Sequence, residues 1–159
     1  MKEAIPLGPF RILLVEDNPA DAAIVRLALN RCRRLTDSRL HHVPDGEQAL
    51  RYLRGMEPGA QGPPPDLVLL DINLPGMGGI ECLSQIRKAP ALTHLPVMIL
   101  SSSDAHGDIL RSYQLHANAY VHKPVGIEEL LKVFEAIADF WFIVAKLPAA
   151  SEGRRPSLD

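Results

Sequence analysis

The sequence lacks several features that would place it in common functional classes. Its two cysteines, Cys32 and Cys82, lie far apart and without metal-ligand spacing, so we expect buried or inert thiols of a reducing compartment. The net charge is only -2, from 17 basic and 19 acidic residues, which argues against a nucleic-acid partner. No stretch approaches the roughly 20 apolar residues of a membrane span, and residues 1–9 lack the apolar core of a signal peptide. We therefore expect a soluble cytoplasmic protein that binds neither nucleic acid nor membrane.

What the sequence does contain is a regular alternation of short apolar runs and amphipathic segments. At 159 residues, 47% of them hydrophobic, the chain is long enough for one domain with a packed core. The pattern predicts strands over 11–15, 40–43, 67–70, 96–101 and 118–122, and helices over 19–33, 47–54, 79–88, 104–115 and 126–147. Asn18 and Asp104 are the expected caps of the first and fourth helices. This order predicts a doubly wound α/β fold with a five-stranded parallel sheet.

The stretch around the third predicted strand is the strongest candidate for a functional site. Leu67–Leu70 is an unbroken apolar run, which is typical of a strand buried on both faces of a parallel sheet. Asp71 follows at its carboxyl end, on the edge where open parallel sheets bind ligands. The sequence from Asn73 to Gly76 predicts a tight turn. Taken alone, Asp71 could be a nucleophile, a metal ligand or a helix cap.

The ends of the other strands decide between these possibilities. Glu16 and Asp17 follow the first strand, Ser101 ends the fourth, and Lys123 follows the fifth. In a partly desolvated site these two acids and Asp71 would repel one another, so they would need a cation. Because their ligand atoms are carboxylate oxygens, the expected cation is Mg²⁺. Lys123 and Ser101 could each hold a phosphoryl oxygen. These parts suit phosphoryl transfer, with Asp71 as the acceptor.

With this combination of motifs, the chain resembles the receiver domain of bacterial two-component response regulators. The resemblance covers roughly residues 11–147, with 1–10 as an N-terminal extension and 148–159 as a tail expected to be disordered. It implies a flavodoxin-like (βα)5 fold. It also implies a signalling phosphoacceptor that is not an enzyme, because the only reactions it would catalyse are its own phosphorylation and dephosphorylation. A sensor histidine kinase would phosphorylate Asp71 in a reaction that requires Mg²⁺, for which Mn²⁺ could substitute.

The resemblance also implies roles for individual residues. The metal would be held by Glu16, Asp17, Asp71 and the backbone carbonyl of Asn73. The phosphoryl-binding and switch residues would be Ser101, Tyr120 and Lys123. The bond between Lys123 and Pro124 would be cis, a state that only X-Pro bonds reach at low cost. Dephosphorylation would be tuned by Asn73 and Ser103.

Within receivers, the chain is similar to single-domain regulators paired with bacterial and cyanobacterial phytochrome kinases. The similarity lies in residues 16–21, 123–125 and 140–148. It implies a phytochrome-type histidine kinase, a bacteriophytochrome, as the partner and a homodimer through the C-terminal helix. The apolar stripe of that helix is widened by Phe140, Phe142 and Ile143, which is typical of a partner interface. The alternative is a terminal helix wrapped tightly into the domain core.

Three other functions are weighed against the receiver. Phosphatases of the haloacid dehalogenase type also use a strand-end Asp, but they need a second Asp two residues later, where this chain has Asn73. A phosphate-independent binding scaffold would not need the complete set of acids, hydroxyl and lysine. A flavodoxin-type binder of small molecules would need a phosphate-cradling loop after the first strand, and no convincing one is present.

Overall fold

Five parallel strands form one sheet at the centre of the protein. The computed structural model describes residues 9–56 and 64–141. Its strands are β1 (Arg11–Val15), β2 (Arg39–Val43), β3 (Leu67–Leu70), β4 (Val97–Ser101) and β5 (Ala119–His122). They lie in the order β2-β1-β3-β4-β5, and each neighbouring pair is parallel. This confirms the doubly wound, flavodoxin-like arrangement expected from the sequence.

Helices alternate with the strands along the chain. They are α1 (Pro19–Arg31), α2 (Gly46–Leu53), α3 (Gly79–Lys88), α4 (His106–Gln114) and α5 (Ile127–Asp139), with a short 3-10 helix, Arg33–Leu35, after α1. The last predicted helix extended to residue 147, and its residues 142–147 lie outside the described ranges. No helix within 9–56 and 64–141 is long and apolar enough to cross a bilayer.

The helices cover both faces of the sheet and create two apolar layers. One layer contains Val25 of α1 and Phe134 of α5, and the other contains Leu50 of α2 and Leu83 of α3. β3 lies between the two layers, and none of its side chains is more than 1% exposed. Because both of its faces are buried, β3 is apolar throughout and does not alternate with polar residues. Its burial fixes the position of Asp71, which follows it directly.

α1 begins as the sequence predicted. The Asn18 side chain accepts hydrogen bonds from the backbone N–H groups of Ala20 and Asp21, and Pro19 occupies the first helical position. A cap of this kind is worth about 1 kcal/mol. α1 therefore starts immediately after the acids that end β1.

α4 begins differently from the prediction, because Asp104 does not cap it. The N-cap residue is Ala105, which has no side chain that could accept a hydrogen bond. The Ser103 hydroxyl accepts the Ala105 N–H at 3.3 Å instead. Asp108, in the first turn, binds the same hydroxyl. α4 therefore starts without a side-chain cap, and the Ser103 hydroxyl connects the N-cap residue to the first turn.

Arg87 at the end of α3 holds three chain segments together. Its guanidinium donates hydrogen bonds to the backbone carbonyls of Thr93, Leu95 and His116 and to the side chain of Asn118. His116 has φ 65°, in the left-handed region that non-glycine residues seldom adopt. The two hydrogen bonds from Arg87 to the His116 carbonyl stabilise this turn between α4 and β5.

Candidate functional site

The carboxylates predicted to form a site meet at the carboxyl edge of the sheet. β1 and β3 are neighbours, so Glu16 and Asp17 after β1 lie beside Asp71 after β3. One carboxylate oxygen from each of these residues lies within 4.8 Å of the others. Glu16 is only 2% and Asp71 only 5% exposed, whereas Asp17 is exposed to solvent. The cluster therefore has two buried members and one that is open to water.

Lys123 reaches into this cluster from the end of β5. Its Nζ lies 2.7 Å from Glu16 Oε2, and 3.1 Å from both Asp71 Oδ2 and Asp21 Oδ2. An ammonium group has three protons, and each has a carboxylate acceptor here. The Lys123 backbone N–H also donates to the Ser101 carbonyl at 2.7 Å, which fixes the base of the side chain.

Asp21 is a residue of this cluster that the sequence reasoning missed. It belongs to the first turn of α1 and its side chain is 36% exposed. A signal for it was available, because a helix that begins right after a strand's carboxyl end presents its first turn to that edge of the sheet. An acid in the first turn also suits the helix dipole, so Asp21 could be taken for a purely local feature.

Burial and charge act in opposite directions on the two groups at the centre of the site. Burial raises the pKa of the Glu16 carboxyl above its ordinary value, and this outweighs the opposing hydrogen bonds from Lys123 and from the Asn18 N–H. Burial alone would lower the pKa of Lys123, but its hydrogen bonds to Glu16 and Asp71 outweigh it and raise that pKa above the usual range. The ammonium therefore stays charged and holds Asp71 in place.

The segment after Asp71 bends at Pro75 and Gly76, and Gly76 has the positive φ that the sequence predicted. The Asn73 N–H donates to Asp71 Oδ1 at 3.2 Å, and Gly76 has φ 67°, in the left-handed region that glycine adopts freely. The Glu47 carboxylate of α2 accepts the Met77 N–H at 3.0 Å. The turn is therefore attached both to Asp71 and to a neighbouring helix.

Gly79 is a second residue that the sequence reasoning missed. A Cβ atom at this position would lie 2.0 Å from the carbonyl oxygen of Asp71 and 2.7 Å from Ile72 Cα. The Gly79 N–H donates to the Ile72 carbonyl at 2.9 Å. The start of α3 thus packs directly on the backbone of the candidate acceptor. The glycine pair at the start of the predicted helix was the available signal, since close backbone approach is a common reason for glycine.

The residues expected to form the switch are connected through Ser103. Ser101 is fully buried, and its Oγ accepts the Ser103 N–H at 3.3 Å. The Tyr120 hydroxyl donates to the Ser103 carbonyl at 2.6 Å. Tyr120 therefore contacts the loop after β4, and the Ser103 hydroxyl is bound to α4.

The expectation of a cis bond between Lys123 and Pro124 is wrong for this structure. No peptide bond within the described ranges is cis. The trans isomer is favoured in X-Pro bonds by about 0.5–1 kcal/mol unless tertiary contacts reverse the preference. Lys123 reaches its carboxylate partners with the trans bond in place.

The structure covers only part of the predicted dimer surface. Phe140 is 52% exposed and packs edge-on against Trp141, with ring centroids 5.1 Å apart. Trp141 packs against the apolar layer formed by α1 and α5. Phe142 and Ile143 lie outside the described residues. The exposed ring of Phe140 is therefore the described part of this surface.

The donor set fits a small divalent cation better than other metals. The three acids offer only carboxylate oxygens, which are the ligands that Mg²⁺ and Mn²⁺ prefer. With Asp21 included, four carboxylates face the single ammonium of Lys123, so the site keeps a negative charge that a cation would neutralise. Because Asp17 is exposed, a cation can reach the cluster from solvent.

Comparison with known proteins identifies the family. A family model of the response regulator receiver domain matches residues 12–135. The response regulator Rcp1 of Synechocystis sp. is 37% identical over 142 residues, which cover 89% of this chain and 95% of Rcp1. The probable methanogenesis regulatory protein FilR2 of Methanothrix harundinacea is 41% identical over 133 residues, or 84% of each chain.

Solved structures give the same result. The phosphorylated cyanobacterial phytochrome response regulator RcpA superposes with a TM-score of 0.80 at 38% identity, over 89% of this chain and 100% of that one. The Mn²⁺-bound form of Rcp1 gives a TM-score of 0.77 at 37% identity, with the same coverage. The chain therefore belongs to the response regulator receiver domain family, and its relatives include the response regulators of phytochromes.

Proposed function

We propose that this receiver accepts a phosphoryl group on Asp71 from a sensor histidine kinase. The observation that carries the proposal is the contact of the Lys123 ammonium with Asp71 and Glu16 inside a buried acidic cluster. A buried carboxylate held beside a fixed positive charge is suited to attack a phosphoryl group, since the charge stabilises the oxygens that are being transferred.

The reaction is a transfer between two nucleophiles. The bond between phosphorus and the imidazole nitrogen of the kinase phosphohistidine breaks, and the bond between phosphorus and an Asp71 carboxylate oxygen forms. The electron pair of the broken bond stays on the imidazole nitrogen. A divalent cation held by Glu16, Asp17, Asp71 and the Asn73 backbone carbonyl would neutralise charge on the phosphoryl oxygens. The Mn²⁺-bound form of Rcp1 supports this assignment.

The Lys123 ammonium must exchange partners during this transfer. In the unphosphorylated site its protons are shared among Glu16, Asp21 and Asp71. Once Asp71 is an acyl phosphate, the carboxylate oxygen loses its charge and the ammonium can bind a phosphoryl oxygen instead. Glu16 and Asp21 keep the ammonium in place while this exchange occurs.

Ser101 and Tyr120 would report the change to the surface. Ser101 would donate its hydroxyl to a phosphoryl oxygen, and Tyr120 would move toward the space that Ser101 leaves. Hydrolysis by water would then regenerate the Asp71 carboxylate and release phosphate. Asn73 and Ser103 flank the site and would tune the rate of that step.

The kinase partner we propose is of the phytochrome type. RcpA is a cyanobacterial phytochrome response regulator, and a bacteriophytochrome response regulator is 34% identical with a TM-score of 0.70. We also propose a homodimer through the C-terminal helix, with Phe140, Phe142 and Ile143 in its interface. The half-exposed Phe140 ring supports this surface.

The test is intact-mass analysis after incubation with a small-molecule phosphodonor and Mg²⁺. We expect one added phosphoryl group in the wild-type chain, and none in Asp71→Asn or in the presence of a chelator. A donor that labels a control receiver but not this chain would contradict the proposal and favour the phosphate-independent scaffold. Labelling of Asp71→Asn to the same extent would contradict the assignment of the acceptor.

A further inference from the structure

A strong hydrogen bond links α4 to the loop that follows β4. The Ser103 hydroxyl donates to Asp108 Oδ2 at 2.6 Å. An O–H group bound to a carboxylate at this distance forms a charge-assisted bond, roughly twice as strong as a neutral one. The backbone carbonyl of Asp108 accepts the hydroxyl of the fully buried Ser112 at 2.7 Å, which ties the backbone at this position to the buried side of α4. Asp108 is therefore bonded through its side chain to Ser103 and through its backbone to Ser112.

Ser103 connects this acceptor to the candidate site. Its backbone N–H donates to Ser101 Oγ, and its carbonyl accepts the Tyr120 hydroxyl. Its own hydroxyl accepts the Ala105 N–H and donates to Asp108. Ser103 thus forms four hydrogen bonds, and the one to Asp108 is charge-assisted, so its loss would remove the strongest single restraint on the position of this residue.

The position of the Ser101 hydroxyl depends on Ser103. Ser101 is 0% exposed, and its oxygen accepts the Ser103 N–H. Among the residues that the structure describes, no acceptor binds the Ser101 hydroxyl proton, so it is available for a group that arrives at the site. A buried hydroxyl donor assists phosphoryl transfer only if its oxygen already lies where it can donate to the phosphoryl group, because reorientation during the reaction would slow it.

We infer that Asp108 is a positioning residue for phosphoryl transfer. By binding the Ser103 hydroxyl, it fixes the Ser103 N–H that orients the Ser101 hydroxyl at the Asp71 site. Asp108 touches neither Asp71 nor the transferred group and acts only through Ser103. The inference rests on the proposed function of Asp71 and adds to it a residue of α4 that is seven positions away from Ser101 in the sequence.

The test measures the rate of phosphorylation from a small phosphodonor at saturating Mg²⁺. We expect Asp108→Ala to react about tenfold more slowly, less than the roughly hundredfold loss that follows removal of a donor outright. Asp108→Asn keeps an oxygen acceptor and should recover most of the rate. Asp104→Ala is the matched control. It removes an acid from the loop just before α4, and within the described residues this acid forms no hydrogen bond with Ser103, so the variant should react like the wild type.

A second variant tests the same bond from its other end. Ser103→Ala should slow the reaction at least as much as Asp108→Ala, because it removes the bond to Asp108 and also the acceptor of the Ala105 N–H. The double variant should be no slower than Ser103→Ala alone, because the bond to Asp108 is already absent in that variant. Circular dichroism establishes the folded fraction of each variant. A purely structural role for Asp108 would slow the reaction only in proportion to the loss of folded protein.

The outcomes separate this inference from the function on which it rests. Equal rates for Asp108→Ala and Asp104→Ala would overturn the inference, as would additive effects of the Asp108 and Ser103 substitutions. A wild-type chain that accepts no phosphoryl group would overturn the proposed function itself, and the inference with it.

Discussion

The substitution Gly79→Ala should separate the stability of the fold from the geometry of the site. The added Cβ would lie 2.0 Å from the Asp71 carbonyl oxygen and 2.7 Å from Ile72 Cα, both far inside normal contact distance. Both atoms belong to the backbone, so neither can rotate away, and α3 or the segment after β3 must move. Overpacking of this kind costs about 3 kcal/mol, and the higher helix propensity of alanine returns about 1 kcal/mol.

The expected net loss is therefore about 2 kcal/mol, which a domain with about 5–15 kcal/mol of stability tolerates. Urea unfolding followed by circular dichroism measures the loss. The rate of phosphorylation should fall much further, by about a hundredfold, since a shift on the order of 1 Å at a reacting group can cost that much. The rate is measured with a small phosphodonor on samples that are shown to be folded.

Gly107→Ala is the matched control for this prediction. A Cβ at Gly107 meets nothing within 4 Å, and the residue lies in the first turn of α4. We expect a gain of about 0.5–1 kcal/mol and an unchanged rate of phosphorylation. The reasoning would be refuted if Gly79→Ala were as stable as the wild type, or if it lost stability and kept its full rate.

Three further predictions concern stability and reactivity. Arg87→Lys and Arg87→Ala should each lower the free energy of unfolding by about 3 kcal/mol in urea titrations. The lysine variant should lose as much as the alanine variant, because a lysine cannot reproduce the forked set of hydrogen bonds. A lysine variant as stable as the wild type would contradict this. Asn18→Ala should cost about 1 kcal/mol in the same assay and Asn18→Asp very little, and the cap assignment fails if the two variants behave alike. Burial raises the pKa of Cys82 to about 12 and also raises that of Cys32, so the thiolate forms only at higher pH than in a free thiol. Both should resist a thiol reagent at mildly alkaline pH until urea unfolds the chain, and rapid labelling of the folded protein would show that they are accessible.

Much of the fold could be predicted because its signals are local. The apolar run of β3, the Asn18–Pro19 start of α1 and the turn ending at Gly76 each follow from a few neighbouring residues. The acidic cluster could be predicted as well, because parallel strands bring their carboxyl ends to one edge whatever the details of packing. Glu16, Asp17 and Asp71 therefore came together as expected.

The remaining features depend on contacts between distant segments. The start of α1 places Asp21 near the edge of the sheet, but its contact with the site depends on Lys123, which is 102 residues away in the sequence. The close approach of Gly79 to Asp71 depends on how α3 is seated against the loop. Asp104 was a reasonable cap on local grounds, but the N-cap residue of α4 is Ala105, which provides no side-chain cap, and the acid of its first turn that forms a hydrogen bond with the preceding loop is Asp108.

Identification of the modified residue is the most direct test of whether Asp71 carries the phosphoryl group. An acyl phosphate is reduced by borohydride to the alcohol, which converts a phosphorylated aspartate into homoserine. After phosphorylation, reduction and proteolysis, mass spectrometry of the peptides should find homoserine in place of Asp71 and unchanged aspartate at Asp17 and Asp21. Homoserine at either of those positions, or no conversion in a sample that carries a phosphoryl group, would contradict this account.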